Sequence, residues 1–330
     1  MNTRFPLPRC LGALWLIVSL GAQAQAAPSS DPYFWLEDVA SECSLDWVRE
    51  RNAATQAQLQ AWPHYAATRD TIRAILDSRE RIATVTRQGD ALLNLWRDEA
   101  NPRGLWPSTT LAEYRKPTPA WQTLLDVDAL ALAEGENWVF KGTDCLAPDY
   151  EHCPIRLSRG GADAVVLREF NLRMRRFVAD GFSLPEAKSQ GVWIDKDETL
   201  VASDFGPSSL TASGYARQIK RWRRGQPLAE AKLAFEGRAV DVGVWVSVEH
   251  TPGHARTVFT RSINFHSREH ALLIDGALQP PALPADAQFS VWRERVLVEL
   301  RSDLQQGNQL LPRGALLVAQ AADLLRGKPR

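Results

Sequence analysis

The strongest constraint on this chain is a rhythm of short β segments that recurs in whole groups. Between Ala239 and Gly276 three segments follow one another, Val240–Val248, Arg256–Phe265 and Ala271–Asp275. In the first, Val242, Val244, Val246 and Val248 alternate with Asp241, Gly243, Trp245 and Ser247. That is the two-residue period of a pleated strand, whose successive side chains point to opposite faces. Thr251-Pro252-Gly253-His254 and His266-Ser267-Arg268-Glu269 supply turn residues between the segments, so the stretch reads as an antiparallel meander. A meander this small cannot bury both faces alone and has to stack on similar sheets.

The chain contains such sheets. Gly191–Ile194, Thr199–Ser203, Gln218–Trp222 and Lys232–Phe235 form a second group, with turns at Asp195-Lys196-Asp197 and Arg224-Gly225-Gln226-Pro227. Trp138–Gly142, Ile155–Ser158, Ala164–Glu169 and Arg175–Val178 form a third, broken by Pro148-Asp149 and Gly160-Gly161-Ala162-Asp163. The groups recur at roughly forty to fifty residues, the spacing of four-stranded propeller blades. A β-sandwich also gives many short strands, but it seldom runs this long as one domain and does not explain the return of whole four-strand groups. The expected fold class is therefore all-β, a β-propeller of four-stranded blades.

Composition narrows the partners. With 39 basic and 39 acidic side chains in 330 residues, the chain has no net field that would draw nucleic acid or an anionic membrane surface. Its 12 Trp are scattered along the whole length, which fits packing within and between sheets better than one stacking platform.

At the start, Arg4 and Arg9 precede the apolar run Leu11–Leu20, and Ala22, Ala24 and Ala26 place small residues two apart. This pattern is a secretory signal peptide, residues 1–26, so the mature chain is expected to be secreted or periplasmic, with no membrane association after cleavage. An uncleaved anchor is the rival, but the run is shorter than the roughly twenty residues a spanning helix needs. Cleavage leaves 37 basic against 39 acidic side chains, a net charge of −2. Residues 27–80 then read as a helical lead. A helix capped near Ser44 runs to about Gln60, with Leu45, Val48, Asn52, Thr55 and Leu59 on one stripe. Behind Pro63, Tyr65, Thr68, Ile72, Ile75 and Leu76 recur at helical spacing. Residues 81–330 are the β region.

Asp31-Pro32-Tyr33-Phe34-Trp35-Leu36-Glu37-Asp38, followed by Trp47-Val48 and Asn52, resembles the amino-terminal signature of the prolyl oligopeptidase family of serine peptidases. The resemblance continues through Arg103-Gly104-Leu105-Trp106, Glu113-Tyr114-Arg115, Trp121–Asp128, Gly135-Glu136-Asn137-Trp138 and Ser158–Asp163, blocks similar to the early blades of the secreted bacterial branch. It implies a seven-bladed propeller that gates peptide access to an α/β-hydrolase domain with a Ser, Asp and His triad. Counted from Arg81, this chain supplies four blades and the start of a fifth, at Phe289–Trp292, Val296–Leu300 and Leu316–Ala319, so the propeller is expected to be partial and the hydrolase domain absent from the chain. An incomplete fifth sheet would leave Phe289, Val291, Trp292, Val296, Val298 and Leu300 partly exposed.

The residues present agree with that absence. A nucleophile elbow needs Gly-x-Ser-x-Gly. The chain has only Gly181-Phe182-Ser183 and Gly206-Pro207-Ser208, each without the second Gly, so no catalytic residue is assigned and no cofactor is expected. His250, His254, His266 and His270 form two His-x-x-x-His pairs that would suit zinc on a helix. They flank turns between strands, so no metal ligands are assigned. Asp195, Asp197 and Glu198 lack the alternation and central Gly of a calcium loop and read as a solvated hairpin. Lys220-Arg221-Trp222-Arg223-Arg224 reads as the charged face of a strand, its rival role being a contact to a substrate carboxylate. Cys145 and Cys153 bracket the seven-residue loop Leu146–His152, and in an oxidising compartment they are expected to form a disulfide. Cys10 leaves with the signal peptide, and Cys43 is left as a buried thiol. Two functional readings result: the propeller portion of a peptidase handling peptide substrates, or a free-standing secreted module binding a peptide or glycan.

Overall fold

The computed structural model describes residues 31–321 and 323, so the expected signal peptide, with Arg4, Arg9 and Cys10, lies outside the described residues. The chain separates into two compact units, one through Leu76 and the other from Asp77 onward.

In the first unit a short 3-10 turn at Phe34–Glu37 leads into helix α1 (Glu42–Gln60), followed by α2 (Tyr65–Asp77). The cap of α1 is Ser41 rather than Ser44: the extended backbone of Ser41 lets its hydroxyl accept the Ser44 amide at 3.2 Å. Ser44 is buried, and its own hydroxyl donates to the Trp35 carbonyl at 3.3 Å, tying the Asp31–Asp38 run to the helix. Trp47 completes the attachment, edge-on to Trp35 at 6.4 Å with the Arg51 guanidinium over its ring at 5.5 Å. Val48, Leu59, Ile72, Ile75 and Leu76, the apolar stripes of the two helices, are exposed.

The second unit is a succession of antiparallel sheets. Sheet one holds β1 (Thr86–Gln88), β2 (Ala91–Leu93), β3 (Leu105–Thr110) and β4 (Gln122–Asp126), with the short helices α3 (Leu111–Tyr114) and α4 (Val127–Glu134). Sheet two holds β5 (Trp138–Phe140), β6 (His152–Arg159), β7 (Val165–Asn171) and β8 (Arg176–Phe177), with β9 (Ser183–Ala187) also paired to β7. Sheet three is β10 (Gln190–Asp195), β11 (Glu198–Ala202), β12 (Gln218–Arg223) and β13 (Lys232–Glu236). Sheet four is β14 (Gly243–Glu249), β15 (Arg256–Ser262), β16 (Arg268–Ile274) and β17 (Ala277–Gln279). Sheet five pairs β18 (Gln288–Trp292) with β19 (Arg295–Glu299) and, after the hairpin β20 (Leu304–Gln306) and β21 (Gln309–Leu311), adds β22 (Leu316–Gln320) on the other side of β19.

The strand groups legible in the sequence are these sheets, with three additions and one shifted turn. The Ala239–Gly276 meander has a fourth strand, β17, and its second turn closes early: the Ile263 amide donates to the Ser267 carbonyl, so Arg268 and Glu269 already belong to β16. β9 carries Pro185, which argues against a strand in sequence, but it lies on an edge with a register shift against β7, where a missing N–H is tolerated. The hairpin β20–β21 is the third addition.

Neighbouring sheets stack through apolar clusters. Leu93, Trp106 and Leu125 of sheet one meet Ile155, Leu157 and Phe170 of sheet two. Leu167 and Leu184 of sheet two meet Trp193, Val201 and Trp222 of sheet three. Leu200, Ala202 and Ile219 of sheet three meet Val244, Val246 and Phe259 of sheet four. Gly191 shows how close the approach is: a Cβ there would lie 2.8 Å from Leu167 Cδ1, so a side chain would force sheets two and three apart. The fold is all-β, a partial β-propeller of stacked blades after a helical lead.

Sheet five departs from expectation. Val296, Val298 and Leu300 are buried rather than exposed, because Leu283 and the hairpin residues Leu304 and Leu311 cover them. Phe289 and Val291 are half-buried, and Trp292, Leu316 and Val318 stay open to solvent. Among the described residues none of the four buried apolar clusters joins sheet four to sheet five.

Candidate functional site: a groove on the first sheet and the clamps between sheets

The register of sheet one places Leu93, Trp106 and Leu125 toward sheet two and leaves Asn94, Leu105, Pro107 and Thr123 on the opposite face. On that face lies a groove of about 620 Å³, walled by Arg79–Ala83 on one side and Tyr114–Trp121 on the other. The walls are fixed to each other, since the Tyr114 hydroxyl donates to the Ala83 carbonyl at 2.7 Å and Trp121 meets the Tyr114 ring edge-on at 6.2 Å. Arg81 lies over the Trp96 ring at 5.0 Å, with its guanidinium bonded to the Ser78 and Arg97 carbonyls. Arg79 stands 3.5 Å from Asp98, and Lys116 pairs with Glu113. Hydrogen bonds from Asn101 and from the Trp96 indole hold the Asp98 carboxyl below its ordinary value. The groove offers aromatic and prolyl surface with its cations already engaged. Its lining has no Ser, Cys or His, its Lys116 is paired with Glu113 and its Tyr114 hydroxyl is bonded to the Ala83 carbonyl, so what it presents is a binding surface.

Three polar clamps fix the sheets against one another. Glu169 on β7 has no exposed side-chain surface; Arg224 donates two bonds of 2.9 Å to its carboxylate, the Phe182 amide one of 2.9 Å, and His152 Nδ1 lies 2.7 Å away. Burial raises this carboxyl, but those partners together hold it below its ordinary value. Since Arg224 follows β12, the clamp locks sheet two to sheet three. Gln190 on β10 works as a substitute peptide: its Nε2 donates to the Val246 carbonyl at 2.9 Å and its Oε1 accepts the Val246 amide at 3.1 Å, joining the first strands of sheets three and four. His250 adds a 3.0 Å contact from Nε2 to the Trp193 carbonyl.

The residues singled out in the sequence are distributed as follows. Ser183 lies on strand β9 and Ser208 in a turn with φ of 63°; neither has a histidine partner among the described residues. The four histidines separate: His250 serves the Trp193 carbonyl, His254 is 3.8 Å from Glu294, His266 is in an exposed turn, and His270 stacks on Phe289. Among the described residues no group of three or more His, Cys, Asp or Glu side chains is placed to hold a metal ion. The acidic turn and the basic run turn out to be each other's partners. Pairing of β11 with β12 sets Glu198 opposite Arg223, and its carboxylate takes both Arg221 and Arg223, while Asp197 pairs with Lys196 and lies 3.8 Å from Arg224. Lys220 lies over Phe205 at 4.3 Å. Cys145 and Cys153 are disulfide-bonded with their Cα atoms 4.1 Å apart, and Cys43, outside any disulfide, is half-buried rather than buried. Sequence reasoning missed Glu169 and Gln190. Glu169 carried a signal, because it occupies the inward parity of β7 alongside Val165 and Leu167.

Comparison with known proteins places this architecture. Residues 22–277 match the family described as "Prolyl oligopeptidase, N-terminal beta-propeller domain". An uncharacterized peptidase of Sinorhizobium fredii is 40% identical over 215 residues, 65% of this chain and 30% of its own length. One from Rickettsia prowazekii is 27% identical over 310 residues, 89% of this chain and 43% of its own length. A post-proline cleaving enzyme from Rickettsia typhi superposes with a TM-score of 0.82 at 27% identity, over 88% of this chain and 44% of that one. Oligopeptidase B from Leishmania major shares the fold, with a TM-score of 0.66 at 14% identity over 91% of this chain and 41% of that one. The chain thus spans less than half the length of the relatives it matches. It belongs to the prolyl oligopeptidase family, and the part of that family it represents is the N-terminal β-propeller domain.

Proposed function

We propose that this chain is the amino-terminal and propeller portion of an exported prolyl oligopeptidase-like serine peptidase, in which the propeller controls which peptides reach a downstream Ser-Asp-His α/β-hydrolase domain. The observation that carries the reading is the superposition on the post-proline cleaving enzyme, which accounts for 88% of this chain with 44% of that protein. The clamped stack of sheets supports a gating role, because a gate has to keep its shape while substrate presses on it. Export rests on the amino-terminal charge and hydropathy pattern and on the disulfide between Cys145 and Cys153.

The test is fluorophosphonate labelling and hydrolysis of a proline-containing chromogenic peptide, run on this chain and on the protein encoded by the reading frame continued past Arg330. The expected result is no labelling of the chain, with labelling and hydrolysis by the longer protein at a serine beyond residue 330. Stoichiometric labelling of Ser183 or Ser208, or a continued frame without an activated serine, would overturn the proposal.

A further inference from the structure

The joint between sheets four and five is built differently from the other three. Strand register sets Glu249 opposite Arg256 and Thr260 opposite His270, with Ser247 on the same face of the sheet. Across from them Phe289 of β18 stacks on the His270 imidazole, ring centres 4.9 Å apart and planes 28° apart. A cavity of about 180 Å³ lies between, with the exposed hydroxyls of Ser247 and Ser290 in its lining.

Two groups lining this cavity have unused bonding capacity. His270 Nδ1 is hydrogen-bonded with the Thr260 hydroxyl at 3.0 Å, while its Nε2 is shielded from water and has no partner. Arg256 is half-buried as a residue, and its guanidinium has neither an ion pair nor a hydrogen bond among the described residues. Elsewhere in sheets three and four the guanidiniums of Arg224 and Arg261, whose side chains are 26% and 13% exposed, both carry carboxylate partners. The opposing charge, Glu249, is turned into its own turn, where Oε1 accepts from the Thr251 amide at 2.9 Å and from the Thr251 hydroxyl.

We propose that this cavity is a carboxylate-binding site. The planar fork of Arg256 takes the carboxylate's charge. In this site the Thr260 hydroxyl is assigned as donor to Nδ1, the tautomer that puts the imidazole proton on Nε2 as a further donor, and Ser247 and Ser290 supply hydroxyls at the rim. The volume suits a group of acetate size, and Glu249 disfavours a second negative charge, which selects a monoanion over a phosphate dianion. Two sources carry this chemistry, a peptide, at its C-terminus or on a side chain, and a free small acid. The site does not depend on the peptidase reading.

The test follows the His270 ring nitrogens by NMR at pH 7.5 while the chain is titrated with sodium acetate and, separately, with acetamide as the uncharged isostere. Acetate should shift the His270 signals saturably and acetamide should not. Arg256→Gln should weaken acetate binding at least about tenfold, as expected for loss of a charged hydrogen bond. Glu249→Gln should strengthen it several-fold by removing a like charge. Arg256→Lys, which keeps the charge and loses the fork, should fall between, and serves if the glutamine variant does not fold. Displacement of acetate by a peptide with a free C-terminal carboxylate, but not by its amide, identifies a peptide end; binding of acetate alone identifies a free acid. Equal responses to acetate and acetamide, no response to either, or Glu249→Gln weakening acetate binding would overturn the proposal.

Discussion

A carboxylate with no exposed side-chain surface persists on a strand only where its lone pairs are answered, and Glu169 is answered from three directions, by Arg224, the Phe182 amide and His152. Glu169→Gln would leave Arg224 without its counter-charge, and we expect a loss of about 3 kcal/mol, read as a lower urea midpoint at pH 7. Because the folded carboxyl lies below its ordinary 4.5, this stabilisation is present above pH 4.5 and is lost as pH falls through the folded value. His270 produces an earlier acid transition. Burial, with a smaller contribution from Arg268, lowers its pKa from 6.5 to about 4. The unfolded chain therefore binds a proton that the folded chain refuses between these values, so stability is complete above pH 6.5 and declines as pH falls toward 4. The full loss is about 3 kcal/mol. Urea midpoints at pH 7 and pH 5 should differ in the parent chain, and His270→Gln should remove most of that difference.

At the scale of elements, Gln190 does for β10 and β14 what backbone pairing does within a sheet. Gln190→Ala leaves the amide and carbonyl of Val246 unpaired, at an expected cost of about 2 kcal/mol. Hydrogen exchange should show the Val246 amide losing protection while amides of the β6–β7 ladder keep theirs. The loop before β6 is closed by the Cys145–Cys153 cross-link, and replacing both cysteines by serine should cost about 2–3 kcal/mol. Peptide mapping without reductant should recover Cys145 and Cys153 joined. The strands were legible because alternation and turn residues are local: Val242–Val248 declares its period, and Gly160-Gly161 declares its turn. What bridges strands far apart in the chain was not. Gln190 and Val246 are 56 residues apart, and no periodicity links a side chain to a distant peptide group. Arg221 and Arg223 read as the charged face of a strand, but that Glu198 answers them emerged only from the strand register.

For the second unit as a whole, the order of opening follows from what fills each joint. Sheets one to four are sealed pairwise by apolar clusters, whereas the fourth joint relies on the His270–Phe289 stack, the 3.8 Å approach of His254 to Glu294 and a partly polar cavity. Native-state hydrogen exchange in low denaturant should therefore show β18 and β19 exchanging through an opening of lower free energy than β6, β7 and β11. Equal opening free energies across all five sheets would contradict this ranking. The groove on sheet one and the cavity beside His270 were both illegible in the sequence, since each is assembled from segments that meet only after the sheets have formed. The His270–Phe289 joint also has a mechanical consequence. In a row of bodies each coupled mainly to its neighbours, compliances add in series, so the softest coupling contributes most of the bending. Angular play along this row should concentrate between sheets four and five, while sheets one to four rotate together as a single stiff lever.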